Sequence, residues 1–185
     1  SILELIKKFI FVEIEEKKNE QGKPIKGAKP KEHLIFPRYH QRSAILSILD
    51  DVKENGSSQN YLIQHSAGYG KTKTIAWLAH RLSSHHNDEN KQIFDQVIII
   101  TYRIVVDNQL QRAVLSLDHQ SGLIRVMDDK CTSTDLANAI DSNTKIVATT
   151  IKKFPFALEK VKSNKKKTFA VIIDEAHSST AGKDM

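Results

Sequence analysis

The 185 residues carry a net charge of +6 and an isoelectric point near 9.3, with 39% hydrophobic and 27% charged residues, enough chain and an ordinary enough balance for a globular domain with its own core. No apolar run approaches the ~20 residues of a membrane-spanning helix, the start Ser1-Ile2-Leu3-Glu4-Leu5-Ile6-Lys7-Lys8 lacks the layout of a secretory signal, and the single cysteine, Cys131, excludes an internal disulfide framework and a thiolate metal cluster. A cytoplasmic protein is expected, with no membrane partner and a basic balance that suits a polyanion.

Apolar residues at 2, 5, 6, 9 and 10 have the spacing of one helix face. Glu13 to Lys31 is rich in Lys, Glu, Gly and Pro and reads as a loop or linker. Residues 1–35 are therefore expected to form a leading helix and connector, and residues 36–185 a domain of alternating strands and helices. A helix is predicted over Arg42 to Val52, with Ile45, Ile48, Leu49 and Val52 on one face. A strand is predicted over Tyr61 to Gln64, then a helix over Lys71 to Leu82 with Ile75, Leu78, Ala79 and Leu82 inward. Val97-Ile98-Ile99-Ile100-Thr101 reads as a strand covered on both faces, because four successive β-branched apolar residues suit a buried parallel sheet.

A helix near 104–116, a strand near Leu123–Met127, a helix near 133–140, and strands over Lys145–Thr149 and Phe169–Asp174 complete the series. This alternation predicts an α/β fold with an open, mostly parallel sheet and helices on both faces. Ser83 to Lys91, with His85 and His86, reads as a surface loop, and Lys165-Lys166-Lys167 as a solvated turn in preference to a DNA contact.

The most informative segment is Gln64-His65-Ser66-Ala67-Gly68-Tyr69-Gly70-Lys71-Thr72, set between a predicted strand and a predicted helix as a phosphate-binding loop requires. Gly68 and Gly70 can take backbone conformations closed to other residues and let amides approach phosphate oxygens. The helix that begins near Lys71 aims its N-terminal amides at the same point. Lys71 offers a cation to the β- and γ-phosphates, and the Thr72 hydroxyl a ligand to Mg²⁺. His65 stands where the strict pattern has its first glycine.

Val171-Ile172-Ile173-Asp174-Glu175-Ala176-His177 is an apolar strand ending in two carboxylates and a histidine. Ligand chemistry in open parallel sheets gathers at the carboxyl ends of strands. Asp174 suits coordination of Mg²⁺, which is held by few protein ligands plus phosphate oxygens, and Glu175 can polarise the attacking water. His177 is expected to couple nucleotide state to the rest of the molecule. Together the two segments predict binding of ATP with Mg²⁺ and phosphoryl transfer to water.

These residues resemble the superfamily 2 helicases and translocases, whose second motif is written DEAH or DEAD. The closer resemblance is to the motor subunit of type I restriction-modification enzymes. It is carried by Arg38-Tyr39-His40-Gln41, by the run from Tyr61 through Gly68 to Ala76-Trp77-Leu78-Ala79-His80, by Val97 to Arg103, and by Thr149-Thr150-Ile151-Lys152-Lys153-Phe154-Pro155. It covers roughly residues 1–182.

The resemblance implies a first RecA-like motor domain, cut from a longer chain, that pumps double-stranded DNA in company with methyltransferase and specificity subunits. A nuclease domain and a second motor domain with an arginine finger would lie outside it. The resemblance also implies that Gln41 reads adenine, a pairing its amide can make bidentately, and that Thr101, Arg103, Thr149 and Thr150 hold the nucleic-acid backbone. For Gln41 an ordinary helix-surface place, and for each threonine a structural capping role, stay open as alternatives. Tyr69, Tyr102 and Lys152 depart from the residues common at their positions in the family.

Overall fold

The computed structural model describes residues 2–15, 19, 25, 27–66, 68–102, 108–117, 122–128, 130–161 and 167–175. Two antiparallel strands, β1 (Phe11–Glu15) and β2 (Lys31–Ile35), follow the first helix, α1 (Ile2–Phe9). The main sheet has β3 (Gln96–Thr101), β4 (Ile124–Val126), β5 (Ile146–Thr150) and β6 (Phe169–Asp174) in the order β4-β5-β3-β6. All its pairings are parallel.

The helices α2 (Tyr39–Asn55), α3 (Lys71–Ser83), α4 (Asn108–Ser116), α5 (Ser133–Asp141) and α6 (Phe154–Leu158) lie between the strands in sequence. Residues of α2, α3 and α4 pack with Val97, Ile99, Ile146, Ala148 and Ala170 on one face of the sheet. Residues of α5 and α6 pack with Ile98, Ile100 and Val147 on the other. This is the open α/β sheet with helices on both faces that the alternation predicts, the architecture of a RecA-like P-loop domain.

Local chemistry explains the element ends. Thr132 caps α5 by accepting the Asp135 amide at 3.2 Å, and the Asp135 carboxylate accepts the Thr132 amide at 2.7 Å, a reciprocal pair that satisfies donors a helix start leaves free. At the other end of α5, Lys167 Nζ donates to the carbonyls of Ile140, Asp141 and Ser142, placing a cation against the negative end of the helix dipole. Lys167 thus ties the chain to the end of α5, while Lys165 and Lys166 lie outside the described residues. Gln96, 1% exposed, donates its amide to Ala139 O and Thr144 O and so ties β3 to the turn after α5.

Two further expectations are corrected. Tyr61 to Gln64 forms no strand. Leu62 is 86% exposed, and among the described residues β6 pairs with β3 alone, so this segment has no ladder partner. Tyr61 is instead held by a 2.5 Å hydrogen bond to Asp51 of α2.

The stretch Glu13 to Lys31 is not a plain linker either: Glu13 to Glu15 belong to β1, and Lys31 begins β2. Packing makes the difference. Phe9 and Phe11 are buried, Trp77 Nε1 donates to Phe9 O at 2.8 Å, and the Phe11 and Trp77 rings meet edge to face at 5.9 Å. Lys73 Nζ reaches Glu13 Oε2 at 2.9 Å. The structure also adds α6, a short helix with proline in its first turn that the periodicity did not predict. No described helix is long and apolar enough to cross a membrane.

Candidate nucleotide-binding site

Between residue 66 and α3 the chain makes a glycine-hinged loop. Gly68 and Gly70 both have φ of +78°, the left-handed region that side chains disfavour. Tyr69 N donates to Ser66 O at 3.3 Å, and Gly70 O accepts from Lys73 N and Thr74 N, which starts α3. A helix start leaves its first amides without intrahelical acceptors. Those of Gly70, Lys71 and Thr72 therefore form, with the dipole, a positive surface suited to phosphate oxygens. A side chain at Gly68 would meet nothing within 4 Å, so the loop has room for a ligand there.

At Gly70 the surroundings are different. A Cβ would come 2.7 Å from Gln41 Nε2. Gln41 is 3% exposed, and its amide donates to Gly70 O at 3.0 Å, Tyr69 O at 3.3 Å and Thr74 Oγ1 at 3.1 Å. Its Oε1 accepts the Arg38 amide at 2.8 Å. Gln41 is therefore no helix-surface residue. The adenine-reading geometry expected for it is not the one seen, because an amide offers two N–H groups and both are engaged by the loop and α3.

Lys71 opens α3, and Asp174 closes β6. The Lys71 ammonium lies 2.9 Å from Asp174 Oδ1 and 3.5 Å from Glu175 Oε1. Asp174 Oδ1 is buried and has no well-aligned hydrogen bond beside this ion pair. Glu175 has φ of +57°, a conformation uncommon outside glycine, and it turns the chain at the strand end.

A buried carboxylate oxygen whose ion-pair partner among the described residues is the Lys71 ammonium fits a metal ligand. Thr72, next to Lys71, lines a cavity of about 290 Å³ with Lys73, Glu13, His33 and Arg112. The fold thus brings Lys71, at the end of the loop Gly68-Tyr69-Gly70, together with Asp174 and Glu175 at one end of the sheet, with Ser66 exposed at the start of the loop; the cavity that Thr72 lines includes none of these residues. Ala67, Arg103 and His177 lie outside the described residues.

The threonines expected on the nucleic-acid side fall elsewhere. Thr101 is 1% exposed, Thr149 0% and Thr150 1%, because β3 and β5 are central strands covered on both faces. Their hydroxyls are inside the fold and do not present a surface to a nucleic-acid backbone.

Sequence reasoning did not single out a ring cluster beside the loop. The His40 ring lies 5.5 Å from both the His65 and Tyr69 rings, and these residues line a cavity of about 690 Å³ with Tyr61, Gln64 and Ile48. Burial, then His40 and then Lys71, hold the His65 imidazole below its ordinary pKa, so it adds little positive charge to the site. Only the three-dimensional arrangement could have revealed this cluster, since its rings come from separate segments. Of the loop histidines, His85 Nε2 donates to Leu49 O at 2.8 Å, and no group of three metal-ligating side chains occurs among the described residues.

The family model for the SWI2/SNF2 ATPase matches residues 40–185. The chain belongs to the SWI2/SNF2 ATPase family. The match spans the glutamine at the start of α2, the phosphate loop and the Asp174-Glu175 strand end, so this SWI2/SNF2 domain is an ATPase domain of the superfamily 2 helicase type. No curated protein and no solved structure matches the chain.

Proposed function

We propose that this SWI2/SNF2 domain binds ATP with Mg²⁺ and powers translocation along double-stranded DNA, as the motor of a type I restriction enzyme assembled with methyltransferase and specificity subunits. The observation that carries the nucleotide reading is the meeting of Lys71 with Asp174 and Glu175 at the mouth of the glycine loop. Phosphoryl transfer needs positioning and charge neutralisation above all, and these groups supply both. Lys71 and the first amides of α3 would hold the triphosphate, and Thr72 and Asp174 would hold the metal. Magnesium supplies charge neutralisation on the phosphates when bound. Glu175 would orient and deprotonate the attacking water.

Two features support the restriction-motor reading. One is the sequence run Ile63 to Gly68 followed by Ile75 to Ala79; the other is the basic balance of the chain, +6, which suits a polyanion. A second reading, a remodeller or helicase of another superfamily 2 branch, is favoured by the family match itself. The two are separated by assaying the intact assembly. A restriction motor shows ATPase stimulated by duplex DNA with little strand separation, whereas efficient unwinding of RNA would overturn that reading.

Hydrolysis in such motors takes place between two RecA-like domains, where an arginine finger is worth about 10³–10⁵ in rate. The 185-residue chain by itself is expected to bind ATP·Mg²⁺ with near-zero turnover. Robust steady-state hydrolysis by the purified chain would refute this.

A further inference from the structure

Thr101 ends β3 at 1% exposure, and its hydroxyl has no hydrogen-bond partner among the described residues. Its register neighbour in β6 is Asp174. Strand side chains alternate between faces. Along β3, Val97 and Ile99 pack with α3, whereas Ile98 and Ile100 pack with α5 and α6. Thr101 therefore falls on the α3 face, the one on which Asp174 meets Lys71. Adjacent strands are about 4.8 Å apart, so Thr101 and Asp174 are register neighbours on that face.

Thr149 provides a contrast inside the same molecule. It is 0% exposed, and its hydroxyl is likewise without a partner. Alternation along β5 puts it with Val147 on the opposite face, away from the loop.

A sealed hydroxyl without a partner is disfavoured, and such groups in native folds commonly mark a water or ion position. We propose that Thr101 is a positioning residue of the nucleotide site: its hydroxyl holds a water of the hydrated divalent cation beside Asp174, and not a nucleic-acid phosphate. This rests on the reading that the site takes nucleotide together with a divalent cation. Magnesium bound by few protein ligands keeps several waters. A threonine hydroxyl can accept from one such water, and Thr101 makes no hydrogen bond to Asp174 that would compete with it. Outer-shell partners of this kind orient the metal ligands.

The test compares five chains: wild type, Thr101→Val, Thr101→Ala, Thr101→Ser and Thr149→Val. Valine keeps the shape and suits a strand, serine keeps the hydroxyl, and the Thr149 variant removes a buried hydroxyl from the other face. Binding of a fluorescent ATP analogue is measured with and without Mg²⁺, alongside the thermal midpoint and the affinity for duplex DNA. Thr101→Val is expected to lose roughly ten-fold of the Mg²⁺-dependent tightening, with Mg²⁺-free binding and DNA affinity unchanged. Thr101→Ser and Thr149→Val keep the wild-type response, and Thr101→Ala repeats the loss should the valine variant fold poorly. A wild-type Mg²⁺ response in Thr101→Val and Thr101→Ala, an equal loss in Thr149→Val, or weakened DNA binding in Thr101→Val overturns the proposal. A wild-type chain that ignores nucleotide under every condition would sink the parent reading as well, which makes the two failures distinguishable.

Discussion

Lys71 Nζ stands 2.9 Å from Asp174 Oδ1, so the cation expected to meet phosphate oxygens neutralises the carboxylate expected to meet the metal. Both side chains are partly exposed, 40% and 15%, and the pair is worth little to stability by itself. Its use lies in exchange. A triphosphate arriving with a divalent cation gives the ammonium new partners and the carboxylate a new counter-charge in one event. Lys71→Ala is expected to weaken ATP·Mg²⁺ binding at least ten-fold by calorimetry and to abolish ATP-dependent translocation in the intact motor. Unaltered binding would separate Lys71 from the phosphates.

Glu175→Gln preserves shape and the left-handed backbone at that position while removing the negative charge. ATP·Mg²⁺ binding should persist and hydrolysis by the intact motor should stop, as read by single-turnover assay. A mutant that turns over at the wild-type rate would remove Glu175 from the role of base.

Gln41 holds the loop through Tyr69 O, Gly70 O and Thr74 Oγ1. Gln41→Ala leaves buried groups without partners and should cost about 1–3 kcal/mol in denaturant unfolding, with weaker nucleotide binding as the loop loosens. Gly70→Ala adds a clash at 2.7 Å with Gln41 Nε2 on top of a φ of +78°. The double variant relieves the clash but not the backbone strain, so partial recovery of stability over Gly70→Ala is expected. Full recovery would show that the backbone conformation carries no penalty there.

His65 and His85 are both held below their ordinary value of 6.5, in each case first by burial. For His85 the hydrogen bond to Leu49 O pulls the other way. The unfolded chain takes up protons at the ordinary value while the folded chain still resists them. Stability is therefore complete above that value and falls as the pH drops from it toward the lowered values. Denaturant midpoints measured between about pH 7.5 and 5.5 should decline, and His65→Asn should flatten part of the slope. A midpoint that rises on acidification would contradict the assignment.

Much of the frame was legible because its signals are local. Phe169 to Asp174 is a strand over the same residues that the apolar run marks, and β3 is buried at every position, as an unbroken β-branched run demands. The loop from Gly68 to Thr72 and the Asp174-Glu175 pair could be read because each is contiguous.

What escaped depends on pairs distant in sequence. The alternation Phe11-Val12-Glu13-Ile14-Glu15 is a strand only because Trp77 and Lys73 receive it. For Gln41 the resemblance implies a base contact and the sequence leaves a helix surface open; neither shows that its amide meets backbone 28 and 29 residues away. Tyr61 to Gln64 carries a strand composition, but composition does not supply a neighbour to pair with. The threonines at the ends of β3 and β5 carry the right chemistry for phosphate, yet nothing in the sequence says that two layers of helices cover them.

Among the described residues β6 is laddered on one flank, and Val171 and Ile173 stand 49% and 51% exposed on it. Among the described residues, the backbone ladder of the strand that delivers Asp174 and Glu175 is thus to β3 alone. Such a cantilever yields more readily than a strand clamped on both sides. Whatever comes to rest along the open flank would set the reach of the two carboxylates toward Lys71, so the tuning of this catalytic end would be mechanical before it is chemical.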